Sequence, residues 1–435
     1  MLRRLWKMER VKKPIHGIVP AAETAAGLSN ESMKWPIFLY AFILCCASSC
    51  STKDKNDFTP AQPSVVPEAA PFLEVWERNE SVSSNDFIAN ETQETRYIFL
   101  PTDEPHYLVG GIDQVFADDS TFTIVDKSIT ERIVRFGKDG RYVTTIGAKG
   151  KASGEYAGLE CACVTDDGNL AITDGLSNRL IIYSPDGEAV DEYRLNRLMP
   201  HSMVVTDSVI LGSFPGYLKS SEFRIKWIDF NDKELDTALP FTSQRSYVAG
   251  KFIPDSDGNV FFNYALNDTI FNIDGKKIIP AIVMNIHDRQ LTDDFISETE
   301  SLDDKDYHKA LYSNDDIVNL VELTKCDDKW VVYYQKGKNT YVSFVSDHGK
   351  KRTNYPRASI TDRNKGEFFI PEMFVGYADG YLIGYIDPEA FSYLDDKRKA
   401  EYLKRMKDNG VNAPQNDEDI ANYGNLILCL YKLKQ

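Results

Sequence analysis

Apolar and polar residues alternate in two similar segments of the chain, Phe116–Gly140 and Val164–Gly187. In each segment an acidic turn precedes an apolar strand that ends in Asp. A short loop, an Arg, a second apolar strand and an Asp-Gly turn follow. Alternation with a period of two is typical of half-buried β-strands, and Asp-Gly steps favour hairpin turns. The copies end at Gly140 and Gly187, 47 positions apart, which is close to the spacing of propeller blades.

Turns of the same kind recur along the rest of the chain, and an apolar strand follows each of them. We count six such inner turns: Asp118-Asp119, Asp167-Gly168, Asp207-Ser208, Asp257-Gly258, Asp327-Asp328 and Asp379-Gly380. A second series of turns closes the outer strands: Gly140, Gly187, Asn231-Asp232, Gly275 and His348-Gly349. The sequence therefore predicts an all-β fold, a six-bladed β-propeller.

Two insertions with helical patterning interrupt the repeats. The first lies within Leu291–Leu323, where the stretches LTDDFISETESL and DDIVNLVEL are compatible with helices. The second begins at Asp387-Pro388-Glu389, with Asp as the cap and Pro in the first turn, and ends at Asn409-Gly410. The prediction is thus a propeller with two helical insertions.

A propeller must join its first and last blades, and the chain has two strand-like segments for this purpose. Tyr97–Leu100 precedes the first full repeat, and Asn425–Lys434 ends the last one. We expect the early segment to complete the sixth blade beside the late one, because ring closure protects strand edges from pairing with other chains.

The amino-terminal part resembles an export signal. An apolar run, Trp35–Ala47, follows Lys34 and is too short to span a bilayer comfortably. Small residues then lead to Cys50, as in a lipoprotein signal peptide, although Ala47 is a weaker lipobox residue than Leu. We expect lipid attachment at Cys50, and an uncleaved membrane anchor is the alternative.

Four regions follow from these features. We predict that residues 1–32 are an over-extended start absent from the mature protein, because Met33 would begin a well-formed signal peptide at 33–49; an unusually long n-region is the alternative. Residues 50–95 are polar and rich in Pro near their start, as in a lipid-anchored flexible tether. Residues 96–435 form the propeller.

Composition narrows the choice of partners. The formal net charge is −16, and the basic residues concentrated before Cys50 make the remainder more acidic still. A body of this charge lacks the basic surface that phosphates require, so we predict no nucleic-acid binding. Cys161, Cys163, Cys326 and Cys429 follow the signal. Cys161 and Cys163 share one strand face, a geometry unsuited to a mutual disulfide, so we predict buried, inert thiols, with metal ligation as the alternative.

The entry segment PTDEPHYLVGGIDQVF, the run RFGKDGRYVTTIGAKGKASGEY and the terminal NLILCLYKLK carry a family resemblance. The sequence resembles the six-bladed β-propeller lipoproteins of gut-type Gram-negative bacteria, which are similar to NHL-repeat propellers. The resemblance covers roughly Tyr97–Lys434. It implies an exported, lipid-anchored propeller of the cell envelope, in the outer membrane and facing the periplasm or the surface, but no agreed biochemical activity.

Motifs for catalysis are few. The Gly-rich run IGAKGKASGEY does not match a phosphate-binding loop and better suits a connection between blades. Asp126 with Arg132, and Asp174 with Arg179, recur at the same place in successive repeats, as a structural pair would. No nucleophile elbow or zinc-binding helix motif occurs, so we predict no catalytic residue.

Three residues remain as possible channel ligands. His201 and Glu160 lie near the starts of inner strands, and Glu322 is the third candidate. The resemblance extends to six-bladed propellers that are metal-dependent lactonases and lyases and work in the central channel. Such a site needs two or three carboxylates or amides around one cation, which would suit Ca²⁺. We predict no cofactor; bound Ca²⁺ is the expectation only if these residues form a metal site.

Two functions therefore stay open. The first is an exported, lipid-anchored binding or scaffold module for a glycan, peptide or protein partner, with contacts at the loops of one end and the insertions. The loop Ser213–Leu218 has aromatic residues for such contacts, although packing would also explain them. The second is a metal-dependent hydrolase, lactonase or lyase. Inner-strand ligands around Ca²⁺ would favour the second function, whereas an apolar or lysine-plugged channel would favour the first.

Overall fold

A computed structural model describes most of the chain after residue 61. The described residues are 62–68, 73–76, 87–195, 199–215, 222–241, 250–255, 257–264, 267–285, 295, 298–313, 318–336, 339–346, 352–359 and 373–434. All of them belong to one compact unit, Asp54–Gln435.

The described residues form 28 strands. In chain order they are β1 (Leu73–Trp76), β2 (Thr92–Phe99), β3 (Gln114–Ala117), β4 (Thr121–Asp126), β5 (Arg132–Gly137), β6 (Tyr142–Thr145), β7 (Ala148–Lys149), β8 (Glu155–Tyr156), β9 (Leu159–Val164), β10 (Leu170–Asp174), β11 (Arg179–Tyr183), β12 (Ala189–Arg194), β13 (Ser202–Val205), β14 (Ile210–Ser213), β15 (Phe223–Ile228), β16 (Glu234–Pro240), β17 (Lys251–Pro254), β18 (Val260–Asn263), β19 (Thr269–Asp274), β20 (Lys277–Asn285), β21 (Val318–Cys326), β22 (Lys329–Lys336), β23 (Asn339–Ser346), β24 (Arg352–Ser359), β25 (Met373–Ala378), β26 (Tyr381–Ile386), β27 (Gly410–Val411) and β28 (Ile427–Leu433).

Six sheets form the blades of a propeller, as the sequence predicts. Blades 1, 2, 3 and 5 are β3-β4-β5-β6, β9-β10-β11-β12, β13-β14-β15-β16 and β21-β22-β23-β24. Blade 4 is β17-β18-β19-β20 with β1 added at its outer edge, and blade 6 is β25-β26-β28-β2-β27. All six predicted inner turns join the first two strands of a blade. The outer turns at Gly140, Gly187, Asn231-Asp232 and Gly275 lie between the third and fourth strands, and His348-Gly349 lies outside the described residues.

The ring closes in the predicted manner. Strand β2 pairs antiparallel with β28 in blade 6, and Tyr97 lies opposite Cys429. Strand β2 is therefore the fourth strand of a five-stranded blade whose other strands all come from the end of the chain. This arrangement joins blade 6 to blade 1 through a covalent connection, residues 100–113.

The core lies between blades rather than at one centre. Six clusters of buried side chains are found among the described residues, and each combines side chains from two neighbouring blades. For example, Val125 and Ile133 of blade 1 pack with Ile172 and Ile181 of blade 2. Successive side chains of a strand point to opposite faces of its sheet, so an apolar strand can contribute to the clusters on both sides of its blade.

The helices lie mainly in the insertions. They are α1 (Phe87–Glu91), α2 (Asp304–Ser313), α3 (Asp396–Asn409) and α4 (Asp417–Ala421), with 3₁₀ turns at Pro105–Tyr107 and Pro388–Tyr393. The second insertion begins as predicted, since the Asp387 side chain accepts a hydrogen bond from the Glu389 N–H, and α3 ends at Asn409 as predicted.

The first insertion differs in part from its prediction. Helix α2 lies inside the predicted region, whereas half of the stretch LTDDFISETESL lies outside the described residues. The helix expected in DDIVNLVEL is wrong from Val318 onward, because Val318–Cys326 is strand β21. A short run of Val, Leu and Ile fits either element by pattern, and pairing with β22 decides it.

Part of the expected tether packs on the propeller. The Val65 N–H donates to the Thr237 carbonyl on blade 3, and the Glu68 N–H donates to the Ile278 carbonyl on blade 4. Strand β1 then pairs parallel with β20. We call residues 64–68 and 73–76 the N-terminal strap, because they connect the outer edges of two blades.

Among the described residues no helix is both long enough and apolar enough to cross a membrane. The four cysteines of the propeller are buried thiols outside any disulfide bond, as predicted. Burial raises the pKa of the Cys161 thiol to about 12, so this thiol stays protonated and unreactive near neutral pH.

Candidate functional site

The inner strands β3, β9, β13, β17, β21 and β25 surround the axis of the ring and contact one another in turn. Strands within a blade alternate in direction. The loops between second and third strands, and the connections between blades, therefore lie at the end where the inner strands begin. We call this end the channel mouth. Both helical insertions leave the blades at the channel mouth, because one connects blade 4 to blade 5 and the other joins the second and third strands of blade 6.

Side chains fasten neighbouring inner strands to each other near the channel mouth. The Gln114 amide donates to the Ala162 carbonyl and accepts from the Ala162 N–H, each at 3.0 Å. The Ser202 hydroxyl accepts from the Phe252 N–H at 3.0 Å. Such bonds hold the inner strands at fixed spacing and so fix the side chains they present.

Five charged or titratable side chains lie at the channel mouth, one from each of blades 1 to 5. We call Lys127, Glu160, His201, Lys251 and Glu322 the mouth ring. Their side chains are partly exposed, from 17% for Lys127 to 47% for Lys251. Polar groups with this partial exposure can contact a ligand from solution while neighbouring groups hold them in place.

The first group of the mouth ring is centred on Glu160. Its Oε1 atom lies 3.4 Å from His201 Nδ1 and 3.7 Å from Lys127 Nζ. Lys127 Nζ also donates to the Glu160 carbonyl oxygen at 2.9 Å. Three successive blades are thus joined through one carboxylate.

The second group is the ion pair of Lys251 with Glu322. Lys251 Nζ lies 2.6 Å from Glu322 Oε1 and 2.7 Å from Oε2. Lys251 is also close enough to His201 to disfavour a positive charge on its imidazole. The two groups therefore form one continuous arc around the channel mouth.

Electrostatics keep Glu160 ionised and His201 neutral near pH 7. The hydrogen bond from His201 lowers the pKa of Glu160, with Lys127 contributing, against an opposing effect of burial. Loss of solvent lowers the pKa of His201 more than Glu160 raises it, and Lys127 and Lys251 act in the same direction. A neutral imidazole can still donate its Nδ1–H to Glu160.

The structure brings together two of the three predicted channel residues. Glu160 and His201 are in contact, whereas Glu322 contacts Lys251 instead. The sequence argument missed both lysines, although Lys127 directly follows the repeated Asp126 and Lys251 opens an inner strand. Among the described residues no group of three or more His, Cys, Asp and Glu side chains could hold a metal ion.

The repeated aspartates have a structural role at the same end. Asp174 is fully buried and accepts from the N–H groups of Ala157 and Gly158 in the incoming connection. It also accepts from two N–H groups of the following turn and contacts Arg179 at 3.1 Å. Asp126 repeats this pattern with the N–H groups of Gly110 and Gly111. Arg132, like Arg179, donates to a carbonyl of the incoming connection: Arg132 to that of Pro105 and Arg179 to that of Glu155.

Other predicted candidates do not join the mouth ring. The Gly-rich run is a connection between blades 1 and 2, with β7 and β8 paired inside it. In the loop Ser213–Leu218, Ser213 and Phe214 are buried, and residues 216–218 lie outside the described part. Cys50, His287, His348 and the side chain of His308 also lie outside it, and His106 is exposed beside Tyr107 and Tyr142.

Comparison with known proteins agrees with the six-bladed all-β architecture. The family model described as "Domain of unknown function (DUF4934)" matches residues 76–432. The chain therefore belongs to the DUF4934 family. The comparison with curated proteins gave no match.

Solved structures share the fold. A protein from Bacteroides fragilis NCTC 9343 described as exported is 20% identical, with a TM-score of 0.62, 84% of this chain covered and 100% of that chain. A member of the DUF4221 family from Bacteroides vulgatus is 10% identical, with a TM-score of 0.50 and coverage of 79% and 98%. Virginiamycin B lyase from Staphylococcus aureus is 14% identical, with coverage of 67% and 81% and a TM-score of 0.37, which is too low to support an argument about function.

Proposed function

We propose that this protein is an exported, lipid-anchored binding module whose partner docks at the channel mouth. One observation carries the proposal: each carboxylate of the mouth ring is already contacted by a lysine of the same ring. The channel mouth therefore presents fixed polar groups on a rigid scaffold, which is how binding loops are commonly displayed.

The metal-dependent hydrolase or lyase is the weaker alternative. Ca²⁺ requires six to eight oxygen ligands, and a site for it needs carboxylates that are available to the ion. Here a Ca²⁺ ion at Glu160 or Glu322 would have to displace an ammonium group and lie beside its positive charge. The contact between Glu160 and His201 is the only feature that favours catalysis among the described channel residues.

Export and lipid attachment belong to the same proposal. The support is the signal-like run before Cys50 and the exported description of one protein with this fold. The lipid would hold the protein in the cell envelope, with the channel mouth available to a glycan, peptide or protein partner. No nucleic acid is proposed as a partner because the chain is strongly acidic.

Photo-crosslinking from the two ends of one blade tests the proposal. Leu176 lies in a turn at the channel mouth and is 77% exposed, whereas Val164 ends β9 at the opposite end and is 45% exposed. A benzophenone amino acid would replace one or the other in the full-length chain, in cells that make the protein. We expect envelope adducts from position 176 and few from position 164. Equal adducts from both positions, or none from position 176, would contradict a binding face at the channel mouth.

A further inference from the structure

We propose that the mouth ring binds an uncharged, hydroxyl-rich ligand, that is, a neutral saccharide. This inference rests on the proposed function and narrows it from glycan, peptide or protein to one chemical class. It is carried by the charge balance of the ring, its hydrogen-bonding groups and the apolar side chains beside it.

The charges of the mouth ring cancel. Lys127 is matched by Glu160 and Lys251 by Glu322, and His201 contributes no charge in its neutral form. A charged ligand would gain little from a neutral site and would have to compete with ion pairs that are already made. The ring therefore offers no selection for an anion or a cation, unlike the single-sign clefts that attract charged substrates.

The same groups retain hydrogen-bonding capacity toward solvent. An ammonium group has three donors and a carboxylate has about four acceptor sites. Lys251 makes two bonds, both to Glu322, and is 47% exposed. Glu160 and Glu322 are 39% and 37% exposed. Hydroxyl groups can accept from the lysine and donate to the carboxylates at once, without disturbing the ion pairs.

Apolar side chains lie beside these polar groups. Leu176 is 77% exposed and Ile129 is 43% exposed, and both belong to loops at the channel mouth in neighbouring blades. Gly175, next to Leu176, is so near Glu160 that a Cβ there would lie 3.6 Å from Glu160 Oε2. A sugar ring has hydroxyl edges and C–H faces, so it could meet the mouth ring and Leu176 together, burying apolar surface as it binds.

Calorimetric titration of the full-length protein with oligosaccharides of equal length and different charge tests the inference. The neutral probes are hexamers of N-acetylglucosamine, xylose, mannose, α-1,4-glucose and β-1,3-glucose. The charged probes are the hexamer of glucosamine, which is the cationic counterpart of the first, and hexagalacturonate. We expect at least one neutral probe to bind, with an affinity that changes less than about twofold between low and physiological salt, because salt screens only charges.

Variants locate the site. Glu160→Ala and Glu322→Ala should each weaken binding of that probe about 10-fold or more, the usual cost of losing hydrogen bonds to a charged group. The matched control is Asp379→Asn, which removes an exposed partner of Lys138 at the opposite end of the ring and should leave affinity unchanged. Unfolding curves of each variant establish that the fold is intact.

Three results would overturn the inference: no binding by any neutral probe, tighter binding of a charged probe, or equal losses in the Asp379→Asn control. Tighter binding of a charged probe that depends on Glu160 would leave the proposed binding function intact and remove only the ligand class. Absence of crosslinks from position 176 would instead remove the binding function itself.

Discussion

At the scale of the residue, a buried aspartate in blade 1 and another in blade 2 each bind the connection that precedes their blade. Asp126 and Asp174 are each almost completely buried and collect N–H groups from two separate loops. Their recurrence made them recognisable as structural in the sequence, but their partners were not predictable, because the N–H groups come from the connection that precedes each blade.

Replacing Asp174 tests this role. Asp174→Asn should lower the free energy of unfolding by about 1–3 kcal/mol, because an amide NH₂ cannot accept the bonds now made by the second carboxylate oxygen. The matched control is Asp191→Asn, an exposed position in β12 of the same blade, which should change stability by less than about 0.5 kcal/mol. Urea unfolding measures both variants.

The loss of stability in Asp174→Asn should depend on pH in a defined direction. Burial alone would raise the pKa of Asp174, but the N–H groups of Ala157 and Gly158 and the Arg179 side chain outweigh it and lower the pKa. A carboxyl with a depressed folded pKa stabilises the protein above its unfolded pKa of about 3.9 and loses that effect as the pH falls through the folded value. The gap between wild type and Asp174→Asn should therefore narrow below about pH 4, and a constant gap would contradict the assignment.

At the scale of the element, the recurring turn residues between apolar strands were the feature that predicted the fold. The Asp-Gly, Asp-Asp and Asp-Ser steps mark all six inner turns. The Asp-Gly turns need a residue that tolerates a left-handed backbone, and Gly168, Gly258 and Gly380 have positive φ angles. The prediction was wrong at Val318–Cys326, where pattern alone does not separate a short buried strand from a helix. The N-terminal strap was not predictable either, since it depends on main-chain bonds to distant strands.

The amino-terminal segment carries a prediction at the same scale. If Cys50 receives a lipid, Cys50→Ser should abolish incorporation of an alkyne-labelled fatty acid and release the protein into the soluble fraction. Cys46→Ser, four positions earlier in the signal-like run, is the control and should label normally. Label that persists in Cys50→Ser would show that this residue is not the attachment point.

At the scale of the whole molecule, six blades place their inner strands around one axis and collect polar side chains at one end. Glu160 and His201 could be nominated from the sequence because they lie near the starts of apolar inner strands. The lysines that neutralise the carboxylates could not be nominated in this way. Lys127 and Lys251 each lie in a different blade from the carboxylate they contact, and only the ring geometry brings the partners together. Those lysines turn a set of possible metal ligands into a balanced polar surface.

The metal content of the purified protein tests this account most directly. Residues from Asp54 onward would be purified without chelator, analysed for divalent ions, and unfolded by heat with and without EDTA. We predict less than a stoichiometric amount of any divalent ion and the same midpoint in both conditions, because the ring carboxylates are held by lysines. One tightly bound ion per chain, with a midpoint that falls in EDTA, would contradict the account and favour a metal-dependent enzyme in the central channel.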